Sequence, residues 1–134
     1  MKKIRSAVYF PALLAALILC LAACSSYKSH YNAIALVRTN TSGKASMSFS
    51  VFEGSNVFEL KSGADGKVID YSAKLGTGSA KVWYDAGEGK TLLFEIGPGI
   101  EVEGQSADLP KGKVSIIVET TEKCGDGSFS FKID

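Results

Sequence analysis

Ser46-Met47-Ser48-Phe49-Ser50-Val51 alternates strictly between hydroxyl and apolar side chains. Successive side chains of an extended strand point to opposite faces, so Met47, Phe49 and Val51 share one face and three serines the other. A helix would scatter the same residues around its axis, and period two therefore selects a half-buried β-strand. The pattern recurs along the chain. Ala80, Val82 and Tyr84 alternate with Lys81, Trp83 and Asp85, and Leu92, Phe94 and Ile96 with Thr91, Leu93 and Glu95. Ile100 and Val102 alternate with Glu101 and Glu103, Val114, Ile116 and Val118 with Ser115, Ile117 and Glu119, and Phe129, Phe131 and Ile133 with Ser130 and Lys132.

Between these runs lie Gly, Asp, Asn and Pro at intervals of about 8–12 residues, the spacing of an all-β sandwich or barrel. Asp65-Gly66 is a favoured hairpin dipeptide, and Gly76-Thr77-Gly78, Gly87-Glu88-Gly89 and Gly97-Pro98-Gly99 supply positive φ or breaks where the chain reverses. Nine strands are expected, at 33–38, 45–53, 56–62, 67–75, 79–85, 90–96, 100–104, 113–119 and 128–133. The expected fold is all-β: a two-sheet antiparallel β-sandwich, jelly-roll-like or immunoglobulin-like, with an eight-stranded barrel as the alternative. A chain of 134 residues suits one such domain.

The amino-terminal residues read differently. Lys2, Lys3 and Arg5 precede an uncharged apolar run from Ala7 to Ala23, the layout of a helical export signal. The run contains Pro11 and is shorter than the roughly 20 residues a membrane span needs. Leu21-Ala22-Ala23-Cys24 resembles the lipobox of bacterial lipoprotein signal peptides. That resemblance implies cleavage between Ala23 and Cys24, a diacylglycerol on the Cys24 thiol, and attachment outside the cytoplasm to the cell membrane or the outer membrane. The expected organisation is then a signal peptide at 1–23, a lipidated Cys and flexible tether at 24–32, and a sandwich at 33–134. The order of Gly78–Tyr84, Leu109–Ile116 and Gly127–Phe131 is similar to that of small β-sandwich lipoproteins of bacteria, with Val114 where many have Tyr. Similar closing hairpins occur in jelly-roll carbohydrate-binding modules and in the Golgi-dynamics type of sandwich.

Beyond position 23 the chain holds all 14 acidic residues against 12 basic ones, which argues against a nucleic-acid partner. Cys124 is the one thiol left after Cys20 and Cys24, so no internal disulfide is expected. The single His, His30, stands close to the anchor, which places it badly for a catalytic pair. Phosphate-loop, zinc and nucleophile-elbow motifs are missing. Asp85 with Glu88, and Glu101 with Glu103, are the carboxylate pairs, better read as solvated acids than as a glycosidase couple. Asp85, Glu88 and Asp126 lack the spacing of a calcium loop. These residues predict a non-enzyme without metal or cofactor.

The binding candidate is Trp83. With Val82 and Tyr84 inward, Trp83 points outward between Lys81 and Asp85, where an indole stacks a sugar ring. Tyr71, one expected strand earlier, is placed across from it, with Asp85 as a hydrogen-bond partner. The competing reading packs this face under a loop or slips the register so that Trp83 is core. The functional expectation is a non-catalytic envelope module that binds a glycan or an envelope protein. The alternative is an assembly component of an envelope complex.

Overall fold

The computed structural model describes residues 27–134. The expected signal peptide, its cleavage site and Cys24 lie outside those residues. Seven antiparallel strands follow one another: β1 (His30–Ile34), β2 (Val37–Asn40), β3 (Lys44–Ser62), β4 (Ile69–Asp85), β5 (Thr91–Ile96), β6 (Ile100–Gln105) and β7 (Gly112–Ile133). They form one connected sheet in the order β1-β3-β7-β4-β5, with β2 also on β3 and β6 also on β4.

That sheet is folded over on itself. β3, β7 and β4 are long, and each turns a corner on a common line. Register shifts fall between Phe52 and Ser55 on β3 and between Thr77 and Ala80 on β4, while β7 passes through Gly125 and through Asp126 at φ 49°. Gly78 carries φ 84°, and a Cβ there would collide with the Lys123 carbonyl and lie 2.7 Å from Cys124 Cα. The corner therefore needs Gly on steric grounds as well as conformational ones.

Either side of the corner the strands make two layers. Layer one holds β2, residues 44–52 of β3, 124–133 of β7, 69–77 of β4, and β6. Layer two holds residues 55–62 of β3, 112–119 of β7, 79–85 of β4, and β5. β1 lies along the corner of β3, with His30 opposite Ser55 and Ile34 opposite Val51. The inner faces meet in one core. Tyr71 of layer one stacks on Phe94 of layer two at 4.6 Å between centroids, and Phe131 meets Phe58 at 6.1 Å. Met47, Phe49 and Phe129 are buried in the same core cluster as Val82, Val114, Ile116 and Val118. The outcome is an all-β, antiparallel, two-layered β-sandwich.

Several details differ from the expected strands. The segments 45–53 and 56–62 are one strand, as are 67–75 with 79–85, and 113–119 with 128–133. Gly76-Thr77-Gly78, which reads as a reversal, is a bend within β4, whereas Gly87-Glu88-Gly89 does reverse the chain from β4 into β5. The 33–38 strand is instead split around Ala35, at φ 55°, into β1 and β2. Asp65-Gly66 closes no hairpin, because β3 and β4 both pair with β7 rather than with each other. Gly97-Pro98-Gly99 carries the chain from one edge of β4 to the other, since β5 and β6 both pair with β4. The folded part begins earlier than 33: His30 opens β1, and Tyr27 and Ser29 already bond to the body of the sheet.

Candidate functional site

Trp83 lies on the outer face of layer two, between Ile117 of β7 and Leu92 of β5. It is half-buried. Lys90, on the chain between β4 and β5, places its ammonium 4.7 Å from the indole centroid, and the same ammonium lies 3.7 Å from Glu119. Cation and ring attract because the ring face carries negative quadrupole density. Trp83 Nε1 is buried without a hydrogen-bond partner among the described residues. Ile117, only 3% exposed although it points away from the core, completes this small apolar patch. Trp83 is thus a packed residue under a lysine rather than an open stacking platform.

The two residues expected beside it are engaged elsewhere. Tyr71 belongs to β4 like Trp83 and sits on the other side of the corner, in layer one, stacked on Phe94 with its ring over Gly104. A Cβ on Gly104 would come within 2.7 Å of the Tyr71 hydroxyl, so Gly there makes room for the ring. Asp85 is 6% exposed. Its Oδ1 accepts from the Gly87 and Gly89 amides at 2.8 and 3.2 Å, and its Oδ2 from the Tyr27 hydroxyl at 2.9 Å. A carboxylate so occupied organises the 86–90 turn and leaves little capacity for a ligand. The structure therefore does not gather Trp83, Tyr71 and Asp85 into one site.

The other expected groups are also dispersed. His30 faces Ser55 across the β1–β3 ladder, and Asp126 sits at the corner of β7. Among the described residues no three His, Cys, Asp or Glu side chains approach as metal ligands would. Cys124 is buried, and its thiol donates to the Ser79 and Glu122 carbonyls at 3.4 and 3.3 Å. Burial pushes its pKa from 9.0 up to about 11, with the Glu122 carboxylate acting in the same direction, so the reactive thiolate is disfavoured.

What the fold does assemble is on the outer face of layer one. The serines opposite Met47 and Phe49 continue across the sheet in rows. Thr39, Ser46, Ser130, Ser72 and Glu103 are successive cross-strand neighbours on β2, β3, β7, β4 and β6. The next row is Val37, Ser48, Ser128, Lys74 and Glu101. Over β7, β4 and β6 these rows line an open groove of about 480 Å³. Its polar groups are the hydroxyls of Ser72, Ser128 and Ser130, the Lys74 ammonium, and the carboxylates of Glu101 and Glu103. The backbone beneath is already paired strand to strand, so these side chains alone are free to face a ligand. Hydroxyls both donate and accept, while Lys74 only donates and the carboxylates only accept. Such a surface suits a polar, hydroxyl-bearing molecule laid flat on it. The outward serines were legible from alternation; their alignment into rows with Lys74, Glu101 and Glu103 depends on cross-strand register, which one sequence does not carry.

No protein-family model matches the chain, and the search of curated proteins found no match. Among solved structures, the pre-peptidase C-terminal domain of a collagenase from Bacillus anthracis is similar at TM-score 0.48 and 14% identity, over 72% of this chain and 91% of that one. A carbohydrate-binding module from Cellvibrio mixtus lichenase 5A, in complex with cellotriose, is similar at TM-score 0.40 and 13% identity, over 79% of this chain and 86% of that one. A module from Clostridium stercorarium in complex with cellobiose is similar at TM-score 0.40 and 14% identity, over 82% and 88%.

Proposed function

We propose that the chain is a lipid-anchored bacterial lipoprotein whose β-sandwich is a non-catalytic binding module displayed outside the cytoplasm. Its ligand is a hydroxyl-rich polymer of the envelope, a glycan, held on the outer face of layer one. The observation that carries the ligand reading is the groove at the junction of β7, β4 and β6, where Ser72, Ser128 and Ser130 stand beside Lys74, Glu101 and Glu103. An array of hydroxyls flanked by one cation and two anions can exchange many hydrogen bonds with a polyol while carrying no group poised for covalent chemistry. The anchoring reading is supported by Leu21-Ala22-Ala23-Cys24 at the end of an apolar export segment. Two acyl chains hold a protein on a membrane stably, because each buried methylene contributes about 0.8 kcal/mol.

Two measurements test the two halves of this reading. Cells grown with labelled palmitate incorporate label into the wild-type chain and none into Cys24→Ser; label retained in that variant removes the anchor. On a glycan array the mature protein gives signals that fall with Lys74→Ala and with Glu103→Ala and persist in Trp83→Phe. Absence of any signal, or dependence on Trp83 alone, removes the groove as the site.

A further inference from the structure

We propose that the outer face of layer two, at its Asp85 end, rests on the lipid surface to which Cys24 is attached, so that the serine groove on layer one is held facing away from the membrane. This inference depends on the lipoprotein reading above and adds an orientation to it. It begins with where the chain becomes fixed. The Tyr27 hydroxyl donates to Asp85 at 2.9 Å, the Val57 amide donates to Ser29 Oγ at 2.9 Å, and His30 enters β1. From Tyr27 onward the chain is tied to layer two.

Three peptide units separate Cys24 from Tyr27, and fully extended they span at most about 11 Å. A domain of about 100 residues has a radius of gyration near 13 Å. The leash is shorter than the body it holds. The sandwich cannot turn its Tyr27 side away from the bilayer while the Cys24 acyl chains stay inserted.

The chemistry of that side fits a lipid interface. Leu92 is 43% exposed, half-buried Trp83 lies next to it, and Lys90 covers the indole. Lys28 stands beside Tyr27. Apolar and aromatic groups flanked by lysines match the boundary between acyl chains and anionic headgroups. Three acids on the same face have lysine partners: Glu59 with Lys113 at 3.1 Å, and Glu119 with Lys90 and Glu95 with Lys81 at 3.7 Å each. At the contact end, Asp85 is buried under the Tyr27 hydroxyl and the Gly87 and Gly89 amides, and Glu88 is exposed in the turn. The three paired acids present little unbalanced repulsion to an anionic membrane.

The test uses the full acylated protein in phosphatidylethanolamine–phosphatidylglycerol vesicles, labelled with an environment-sensitive fluorophore at Glu88→Cys or at Ser48→Cys. Glu88 lies in the turn organised by Asp85, and Ser48 on the outer face of layer one. A quencher placed shallowly in the bilayer is expected to cause a large loss of emission from position 88 and none from position 48. Inserting about a dozen Gly and Ser residues after Ser26, a flexible coil, is expected to abolish that contrast. Equal quenching at both positions, or a contrast that survives the spacer, overturns the orientation while leaving the anchor intact. Intact mass measured on the same samples separates the two failures, because a chain without acyl mass on Cys24 overturns the anchor and the orientation together.

Discussion

The side-chain amide of Asn40 closes both backbone groups of Glu59, donating to its carbonyl at 2.8 Å and accepting from its amide at 3.1 Å. This one residue does the work of a strand partner. The free edge of β3 in layer two is completed by its neighbours: Val57 N–H donates to Ser29, Val57 C=O accepts from Arg38 at 3.4 Å, and Lys61 N–H donates to the Ser42 carbonyl. An unpaired strand edge invites pairing with another chain, and these caps remove the template. Asn40→Ala is expected to cost about 1 kcal/mol, the net worth of ordinary hydrogen bonds, and to raise aggregation on mild heating. Denaturant midpoints and light scattering read both effects; an unchanged midpoint with no added scattering would show that the edge needs no cap.

Lys90 shields Trp83, so Lys90→Ala should expose the indole. Trp83 is the single tryptophan of the chain, which makes the signal unambiguous. Its emission is expected to shift red and its quenching by acrylamide to rise, with a stability loss of about 0.5–1 kcal/mol from the cation–ring contact. Unaltered quenching would mean the lysine does not cover the ring in solution.

Gly78 cannot be replaced without moving β7. Any side chain there meets the Lys123 carbonyl and the Cys124 backbone at a positive φ. Gly78→Ala should therefore cost about 3 kcal/mol or more, since strain and a backbone clash act together. Gly63, whose added Cβ would meet nothing within 4 Å and whose φ is not positive, is the control. Comparable melting temperatures for the Gly78→Ala and Gly63→Ala variants would falsify the crowded corner.

Cys124 links stability to pH. Its protonated form is favoured in the fold, because burial raises the thiol from 9.0 to about 11. The unfolded chain ionises first, so this contribution is complete below pH 9 and is lost as the pH climbs to about 11. The stability difference between wild type and Cys124→Ala should be constant from neutral pH to about 9 and shrink above it, in chemical denaturation run at each pH. A difference that grows above pH 9 would contradict a buried neutral thiol.

The fold class was legible because Met47, Phe49, Phe129 and Phe131 obey period two without exception, and burial on one face enforces that pattern. Strand number was not. Lys123-Cys124-Gly125-Asp126-Gly127 has the composition of a loop, yet it is the middle of β7. A glycine that lets a chain reverse and one that lets a continuous strand bend are identical in sequence; the difference lies in what is packed opposite, here Thr77 and Phe52. The site was less legible still. Trp83 stands out in the sequence as a lone aromatic among charges, but its cover by Lys90 depends on how the 86–90 turn folds back around Asp85. Ser72 and Lys74 do not stand out, since an outward serine or lysine acquires meaning only from its cross-strand neighbours.

β3, β4 and β7 each run from one layer into the other. A stack of two independent sheets has a seam along which it can be peeled, one slab leaving the other half-intact. Here each slab is the continuation of the other through three unbroken covalent ribbons, and there is no such seam. A tug arriving through Tyr27 enters at Asp85 and β1 and is shared at once by both slabs. The domain should yield to mechanical load as a whole, in one rip, rather than by stages.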